Sequence, residues 1–253
     1  MNIAVLTCDV LTDEVRHFCR DLPQVKLIEI IEQGLHNTPD LLRERLQAAI
    51  TATENNPAID QIVLVYGLCS RGIEGIGTKR CTLAVTRAHD CLTLLLGSKE
   101  RYAEYISKYP GTYWYSAGWN RCHVPPGQER VESLRRNYVE KYGEENADYL
   151  MEMEQDWLRA YDQATFVDLG VAATDADKVY TKQCADWLGW SFDEQQGDPR
   201  LLRDLLAGSW DAERFLVLQP GETIRFTVDD SILGATPCGH CCGAKAAEEA
   251  NRR

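Results

Sequence analysis

The sequence has no long apolar run and few basic residues, and each shortage excludes a class of protein. No stretch approaches the roughly 20 consecutive apolar residues that a membrane-spanning helix needs. The N-terminal segment MNIAVLTCDV has no basic region and reaches Asp9 early, which is typical of a first β-strand and not of a signal peptide. With Lys+Arg 27 against Asp+Glu 39, the chain carries a net charge of −12 and has no basic cluster for polyanions. We therefore expect a cytoplasmic protein with no nucleic-acid or membrane partner.

Common phosphate-binding and catalytic motifs are also missing. A P-loop places Lys directly after the second glycine of G-x-x-x-x-G and a hydroxyl residue after that Lys. Gly72 and Gly77 have this separation, but Thr78 precedes Lys79, so the required order is reversed. The sequence contains no G-x-G-x-x-G, no G-x-S-x-G and no H-E-x-x-H. Phosphate binding by this loop is disfavoured, and hydrolase chemistry has no sequence support.

What is present is an alternation of strand-like and helix-like segments. Apolar stretches at 2–7, 25–31, 59–67 and 81–86 are separated by segments of helical periodicity, and a second alternation follows residue 163. This predicts an α/β fold with Rossmann-like parallel sheets and helices on both faces. We predict two lobes and a tail, namely an N-terminal α/β lobe at 1–110, a C-terminal α/β lobe at 111–228, and a mobile, Cys-rich tail at 229–253.

Ten cysteines are a high count for such a chain. In a reducing cytosol they do not form a disulfide framework, so they serve as core packing, metal ligands or reactive thiols. Packing is the default interpretation, because free cysteine is among the most buried residue types. Position in the fold has to decide between these roles.

Several of these cysteines fall at the ends of predicted strands, where ligands bind in open α/β sheets. Cys8 follows the first strand, His36 and Cys69 lie in the loops after the second and third, and Cys81 and Cys91 flank the fourth. Thiolates with an imidazole are ligands for zinc, or for an iron–sulfur cluster where cysteine dominates. We predict a metal site from these five residues, although strand-end packing is still an alternative for each.

Residues around this edge are candidates for contacting a bound cofactor or small molecule. They are Tyr66, Gly67, Arg71, His89 and Trp119. Glycine allows the backbone to approach a ligand closely, His89 is an alternative metal ligand or general base, and Trp119 belongs to an aromatic stretch able to line a pocket. If the segment RAHDC begins a helix, the helix dipole is expected to lower the pKa of the Cys91 thiol.

The C-terminal tail holds the densest group of potential ligands. Its members are Cys238, His240, Cys241 and Cys242. Cys238 and Cys241 have the C-x-x-C spacing of metal or redox pairs, but one such pair is short of the four ligands that a closed site uses. The tail could cover the main site, pass metal to another protein, or have no function.

Six segments together resemble the bacterial and archaeal proteins of domain-of-unknown-function family 1638. They are TCDVLTDEV, GLHNTPDLL, YGLCSRGIEGI, HDCLTLLLGS, PGTYWYSAGW and GSWDAERFLVLQPGE, and the resemblance extends from about residue 2 to residue 225. The positions that match the motifs of the family are Cys8, His36, Cys69, Cys81 and Cys91. Because members tend to be encoded near corrinoid proteins and corrinoid methyltransferases, the resemblance implies a role in cobalamin-dependent one-carbon metabolism with such a protein as partner.

The leading hypothesis is an enzyme or accessory protein built around a thiolate–imidazole metal site. With zinc, His36, Cys69 and Cys91 are ligands, Cys8 or Cys81 completes the shell, and the metal activates a thiol or methyl donor as a Lewis acid. With an iron–sulfur cluster, the role becomes electron transfer, as in reactivating an oxidised corrinoid. The alternatives are a non-catalytic, two-lobed module that binds a small molecule, and metal trafficking through the C-terminal cysteines.

Overall fold

A computed structural model describes residues 1–238, and the α/β class predicted from the sequence is confirmed. The strands in this range are β1 (Ile3–Cys8), β2 (Val25–Ile31), β3 (Gln61–Val65), β4 (Thr82–Thr86), β5 (Thr112–Tyr115), β6 (Gln163–Asp168), β7 (Ser191–Gln196), β8 (Phe215–Leu218), β9 (Glu222–Phe226) and β10 (Leu233–Pro237). The α-helices are α1 (Thr12–Cys19), α2 (Pro39–Glu54), α3 (Cys91–Leu96), α4 (Lys99–Lys108), α5 (Ala117–Cys122), α6 (Gln128–Tyr142), α7 (Glu144–Gln155), α8 (Asp175–Leu188) and α9 (Arg200–Ala207). No helix between residues 1 and 238 combines the length and the apolar character needed to cross a bilayer.

The chain divides into two compact units. The first unit consists of Met1–Lys99 and the described chain from Pro199 onward, and the second unit is Glu100–Asp198. The sheet of the first unit has the order β2-β1-β3-β4-β8, with the first four strands parallel and β8 antiparallel to β4. The sheet of the second unit has the order β5-β6-β7 and is entirely parallel.

Helices cover both faces of the sheet in the first unit. The chain moves from β1 to β2 on one side and then crosses back to β3 on the other, so right-handed connections place α1 and α2 on opposite faces. Helix α9 contacts α1, β3 and β4 and therefore shares the face of α1. Every residue of β1 is buried, which explains its continuous apolar sequence, because a central parallel strand is covered on both sides.

The first unit takes in more of the C-terminal sequence than we predicted. The segment from Pro199 to β8, predicted to belong to the lobe at 111–228, lies in the first unit, because β8 pairs with β4 as its antiparallel edge strand. The tail predicted from residue 229 still contributes β10, which forms an antiparallel hairpin with β9. The cysteines and histidine predicted to act at positions 240–242 lie outside the described residues.

Two glycines with positive φ separate consecutive helices. Gly97 separates α3 from α4 and Gly143 separates α6 from α7, each with a φ of 80°, a conformation that glycine adopts without steric cost. Strand β7 was not predicted, because its sequence SFDEQQ lacks the apolar alternation of a typical strand. It pairs with β6 along its full length as a partly exposed edge.

The amino end of β4 is held by hydrogen bonds of the side chains of Glu54 and Arg80, which we call the Glu54 clamp. The carboxylate of Glu54 accepts hydrogen bonds from the backbone N–H groups of residues 79–81, at 2.7–3.2 Å. The guanidinium of Arg80 donates to the carbonyls of Glu54 and Ile59, each at 2.8 Å. This clamp satisfies the carbonyl of Glu54, the last residue of α2, and fixes where β4 begins.

Candidate functional site

The candidate site lies beyond the carboxyl ends of the parallel strands in the first unit. We call this side of the sheet its carboxyl edge, and the side where the parallel strands begin its amino edge. The crevice between β1 and β3 is the topological switch point, since the chain leaves β1 for β2 on one side and returns to β3 on the other. Cys8 ends β1, and Cys69 follows β3. His36 lies in a 3-10 helix after β2, Gln33–Asn37, and Cys91 is the first residue of α3 after β4. Four of the predicted ligands therefore lie after four adjacent strands, at the carboxyl edge of the sheet.

Three of these residues, Cys8, Cys69 and Cys91, form what we call the thiol cluster. Their ionisation is coupled, because a charge on Cys8 or Cys69 raises the pKa of Cys91 and a charge on Cys8 raises that of Cys69. His36 lies beside them, with Nε2 at 3.9 Å from Cys8 Sγ. None of the eight cysteines among residues 1–238 forms a disulfide.

The imidazole of His36 is oriented like that of a metal ligand. Its Nδ1–H donates to the carbonyl of Gln33 at 2.7 Å, and because a carbonyl only accepts, this bond places the proton on Nδ1. Burial lowers the pKa of His36 and so favours the neutral ring, although the Gln33 bond partly opposes this. The unprotonated Nε2 is then directed at Cys8. Metal-binding histidines commonly show this outer bond to a carbonyl.

Burial keeps the thiols of Cys69 and Cys91 protonated at neutral pH. The pKa of Cys69 is raised mainly by burial and then by Cys8 and Asp90, while the backbone N–H groups of Gly67 and Cys91 donate to its sulfur and act in the opposite direction. Burial, followed by Cys69, Cys8 and Asp90, raises the pKa of Cys91 well above its usual value. The predicted lowering of the Cys91 pKa is therefore wrong, because burial and neighbouring charges outweigh the dipole of a six-residue helix.

Asp90 fixes Cys91 at the start of α3. Its carboxylate accepts from the N–H groups of Leu92 at 3.1 Å and Thr93 at 3.3 Å, which makes it the N-cap. Gly67 lies against the backbone of Asp90 so closely that a Cβ on Gly67 would be 2.5 Å from the Asp90 Cα. Asp90 was not among the predicted site residues, although an acidic residue directly before an apolar helix is a recognisable N-cap signal.

The turn that carries Cys69 is strained. Cys69, Ser70 and Arg71 have φ values of 45°, 55° and 65°, which place three consecutive non-glycine residues in the left-handed region. Hydrogen bonds from Leu68 N to Ala88 O at 2.8 Å and from Cys69 N to His89 O at 2.9 Å tie the turn to the segment before α3. Such strain costs about 1–2 kcal/mol per residue and is concentrated at functional sites.

Ser70→Gly is expected to stabilise the protein by about 0.5–1 kcal/mol. Glycine removes about 1–2 kcal/mol of left-handed strain, of which its greater freedom in the unfolded chain offsets about 0.5–1 kcal/mol. Urea unfolding measures the change. Ser209 is the control, since it is also exposed but does not have a positive φ, so that Ser209→Gly is expected to destabilise. Destabilisation by both substitutions would contradict the assignment of strain to Ser70.

The structure does not bring Cys81 to the thiol cluster. Cys81 precedes β4, so in a parallel sheet it lies at the amino edge, opposite the edge that carries Cys91. Its thiol donates to the carbonyl of Ile59 at 3.5 Å, and its backbone N–H belongs to the Glu54 clamp. Cys81 is completely buried, so core packing accounts for it.

The predicted cofactor contacts are placed as follows. The hydroxyl of Tyr66 lies beside Cys8, and its ring stacks on that of His36 with centroids 6.0 Å apart. The side chain of His89 is exposed, and its carbonyl supports the Cys69 turn. Arg71 is exposed and lies over the ring of Phe226, 4.5 Å from its centroid. Trp119 is in α5 of the second unit.

The donor atoms at this site are of the types that bind zinc, but the side chains are not all close enough together to coordinate an ion. Sulfur and imidazole nitrogen are the donors that zinc prefers, and at bond lengths of about 2.3 and 2.0 Å two such donors of a tetrahedral ion are about 3.5 Å apart. The separation of 3.9 Å between Cys8 Sγ and His36 Nε2 is close to that value. However, no group of three or more His, Cys, Asp or Glu side chains within residues 1–238 is already arranged to hold a metal ion.

Comparison with known proteins identifies the family but no function. The sequence profile of one family, described as "Protein of unknown function (DUF1638)", matches residues 30–206, which include His36, Cys69 and Cys91 and leave Cys8 upstream. No curated protein and no solved structure gives a significant match. Since the match covers well over half of the sequence, the chain belongs to this family of proteins of unknown function, domain-of-unknown-function family 1638.

Proposed function

We propose that this protein binds a metal, as zinc or an iron–sulfur cluster, through the thiol cluster and His36. The observation that carries the proposal is the orientation of His36, whose Nε2 is held unprotonated and directed at Cys8 Sγ from 3.9 Å. With the proton on Nδ1, Nε2 accepts the hydrogen bond of the Cys8 thiol, so loss of that one thiol proton leaves a sulfur donor and a nitrogen donor side by side for a metal. The proposal requires the sulfurs of Cys69 and Cys91 to close around the metal.

The charges at the site support a cationic ligand. Each thiolate raises the pKa of the next thiol, so the three cannot ionise together unless a positive charge compensates them. A metal cation supplies that charge, and its binding displaces the thiol protons. The N–H groups of Gly67 and Cys91, which donate to Cys69, would further stabilise a thiolate there.

The metabolic role that we propose is corrinoid-dependent methyl transfer, and it rests on the family resemblance. When bound, zinc would supply Lewis-acid activation of a thiol or methyl donor, and an iron–sulfur cluster would supply electrons. The residues of the chain would hold the group at the switch point, which is the position where open α/β sheets bind ligands. A corrinoid protein or methyltransferase in the cytoplasm is the partner that we propose, because a reducing compartment keeps the thiols reduced.

Metal and acid-labile sulfide analysis of anaerobically purified protein, together with a visible spectrum, tests the proposal. About one zinc per chain without colour supports the Lewis-acid version. Iron with equivalent sulfide and a brown colour supports the electron-transfer version. If neither as-purified nor reconstituted protein holds metal in stoichiometric amount, the proposal is wrong.

A second candidate function is the binding of a small molecule without catalysis. The absence of an assembled ligand group among residues 1–238 favours it, as does the switch-point position, where open α/β sheets bind ligands. In this version the thiols only pack. Metal-free protein that retains a co-purified organic molecule would support it. Metal trafficking through the C-terminal cysteines depends on Cys238 and the residues that follow it, and is tested by removing 238–253, which leaves a core metal site in place.

A further inference from the structure

The hydroxyl of Tyr66 is a buried polar group that makes no regular hydrogen bond. The side chain is completely buried, and the oxygen has no partner at normal hydrogen-bonding geometry among residues 1–238, although the sulfur of Cys8 lies beside it. A buried hydroxyl that lost its bonds to water and gained none destabilises the folded state. Phenylalanine would fill the same space without this cost, so the presence of tyrosine calls for a reason other than packing.

The surroundings of this hydroxyl suggest what would satisfy it. The ring of Tyr66 stacks on that of His36 with an interplanar angle of 15°, and this stacking fixes the orientation of the Tyr66 ring. Within the thiol cluster, the sulfur that the hydroxyl can reach for a hydrogen bond is that of Cys8. A neutral thiol is a weak acceptor, whereas a thiolate is a strong one.

Tyr66 is better suited to donate than to coordinate. An ordinary phenol has a pKa of about 10 and so carries its proton at neutral pH. A phenol that keeps its proton serves as a hydrogen-bond donor to the ligands.

We propose that Tyr66 is a positioning residue, whose hydroxyl donates a hydrogen bond to the sulfur of Cys8 when that sulfur binds the metal. This inference rests on the proposed function and adds an outer-shell partner to it. It parallels the backbone N–H groups that donate to Cys69. Cys8 and Cys69 would then each have a donor supplied by the chain segment at the end of β3, residues 66–67.

The proposal predicts effects of opposite sign for one substitution. In metal-free protein, Tyr66→Phe removes an unsatisfied hydroxyl and is expected to leave the melting temperature unchanged or raise it. In the metal-binding reaction it removes a donor to a ligand, and loss of such outer-shell partners lowers metal affinity about 10-fold or more. A residue with a purely structural role would not lower affinity while preserving stability.

The test compares full-length wild type, Tyr66→Phe and a matched control, Tyr115→Phe. Tyr115 is also completely buried, but its hydroxyl donates to the carbonyl of Pro126 at 2.8 Å, so its loss is expected to lower the melting temperature without changing metal affinity. Zinc affinity is measured anaerobically by competition with a chromogenic chelator, and melting temperature is measured on metal-free protein.

The outcomes separate this inference from the proposed function. An affinity about 10-fold lower for Tyr66→Phe, with an unchanged or higher melting temperature, supports the role of Tyr66. Equal zinc affinities for wild type and Tyr66→Phe overturn that role and leave the proposed metal site standing. A lower melting temperature for metal-free Tyr66→Phe shows that the hydroxyl is already satisfied and also overturns it. Wild type that binds neither zinc nor a reconstituted cluster overturns the proposed function itself.

Discussion

Gly67→Ala is expected to destabilise the protein by about 3 kcal/mol or more, which is the largest effect on stability that we predict. A Cβ on residue 67 would be 2.5–2.6 Å from three backbone atoms of Asp90. Backbone cannot move aside as the end of a flexible side chain can. Asp90 is further restrained as the N-cap of α3, and the neighbouring His89 carbonyl accepts from Cys69 N–H. The substitution would force the β3 and β4 loops apart.

Urea unfolding of wild type, Gly67→Ala and Gly34→Ala measures this effect. Gly34 lies in the 3-10 helix that carries His36, and a Cβ there would meet no atom within 4 Å, so Gly34→Ala is expected to change the free energy of unfolding by about 0.5 kcal/mol or less. Gly67→Ala is also expected to impair metal binding, because the loops that it separates carry Cys69 and Cys91. Equal stability of the two variants would show that the close approach to Asp90 is not a feature of the folded protein.

Cys69→Ala is expected to reduce metal affinity by at least about 100-fold, whereas Cys81→Ala is expected to leave it unchanged. Loss of an outer-shell partner already costs about 10–100-fold, and Cys69 is proposed as a direct ligand. Cys81 is the matched control, since both residues are buried free thiols that flank the same loop. They differ in the edge of the sheet at which they lie.

The measurement is zinc or iron content after anaerobic purification, with chelator competition where binding persists. Melting temperatures show that both variants fold, and similar losses are expected because each substitution removes one buried sulfur. Equal metal binding by the two variants would contradict the assignment of Cys69 as a ligand. Loss of metal from Cys81→Ala alone would show that the metal lies at the amino edge of the sheet.

The sequence by itself was sufficient to predict the α/β class and to place the candidate ligands at the carboxyl edge of the sheet. Parallel strands all end at the same edge, so finding Cys8, His36 and Cys69 after successive strands was enough to predict their convergence. The same rule excludes Cys81, because a residue that precedes a parallel strand lies at the opposite edge. That correction needed only the direction of β4, which the sequence pattern already indicated.

Strand order and thiol chemistry were decided only by the tertiary structure. The pairing of β8 with β4 joins residues more than 120 positions apart, and no local pattern predicts such a contact. The raised pKa of Cys91 depends on burial and on its neighbours Cys69 and Cys8, which outweigh a helix position that alone favours the thiolate. The buried hydroxyl of Tyr66 without a regular hydrogen bond and the requirement for glycine at position 67 likewise come from packing between loops that are distant in sequence. Local sequence specifies which groups each strand delivers to the edge, and the packing of those loops sets their charge and their contacts.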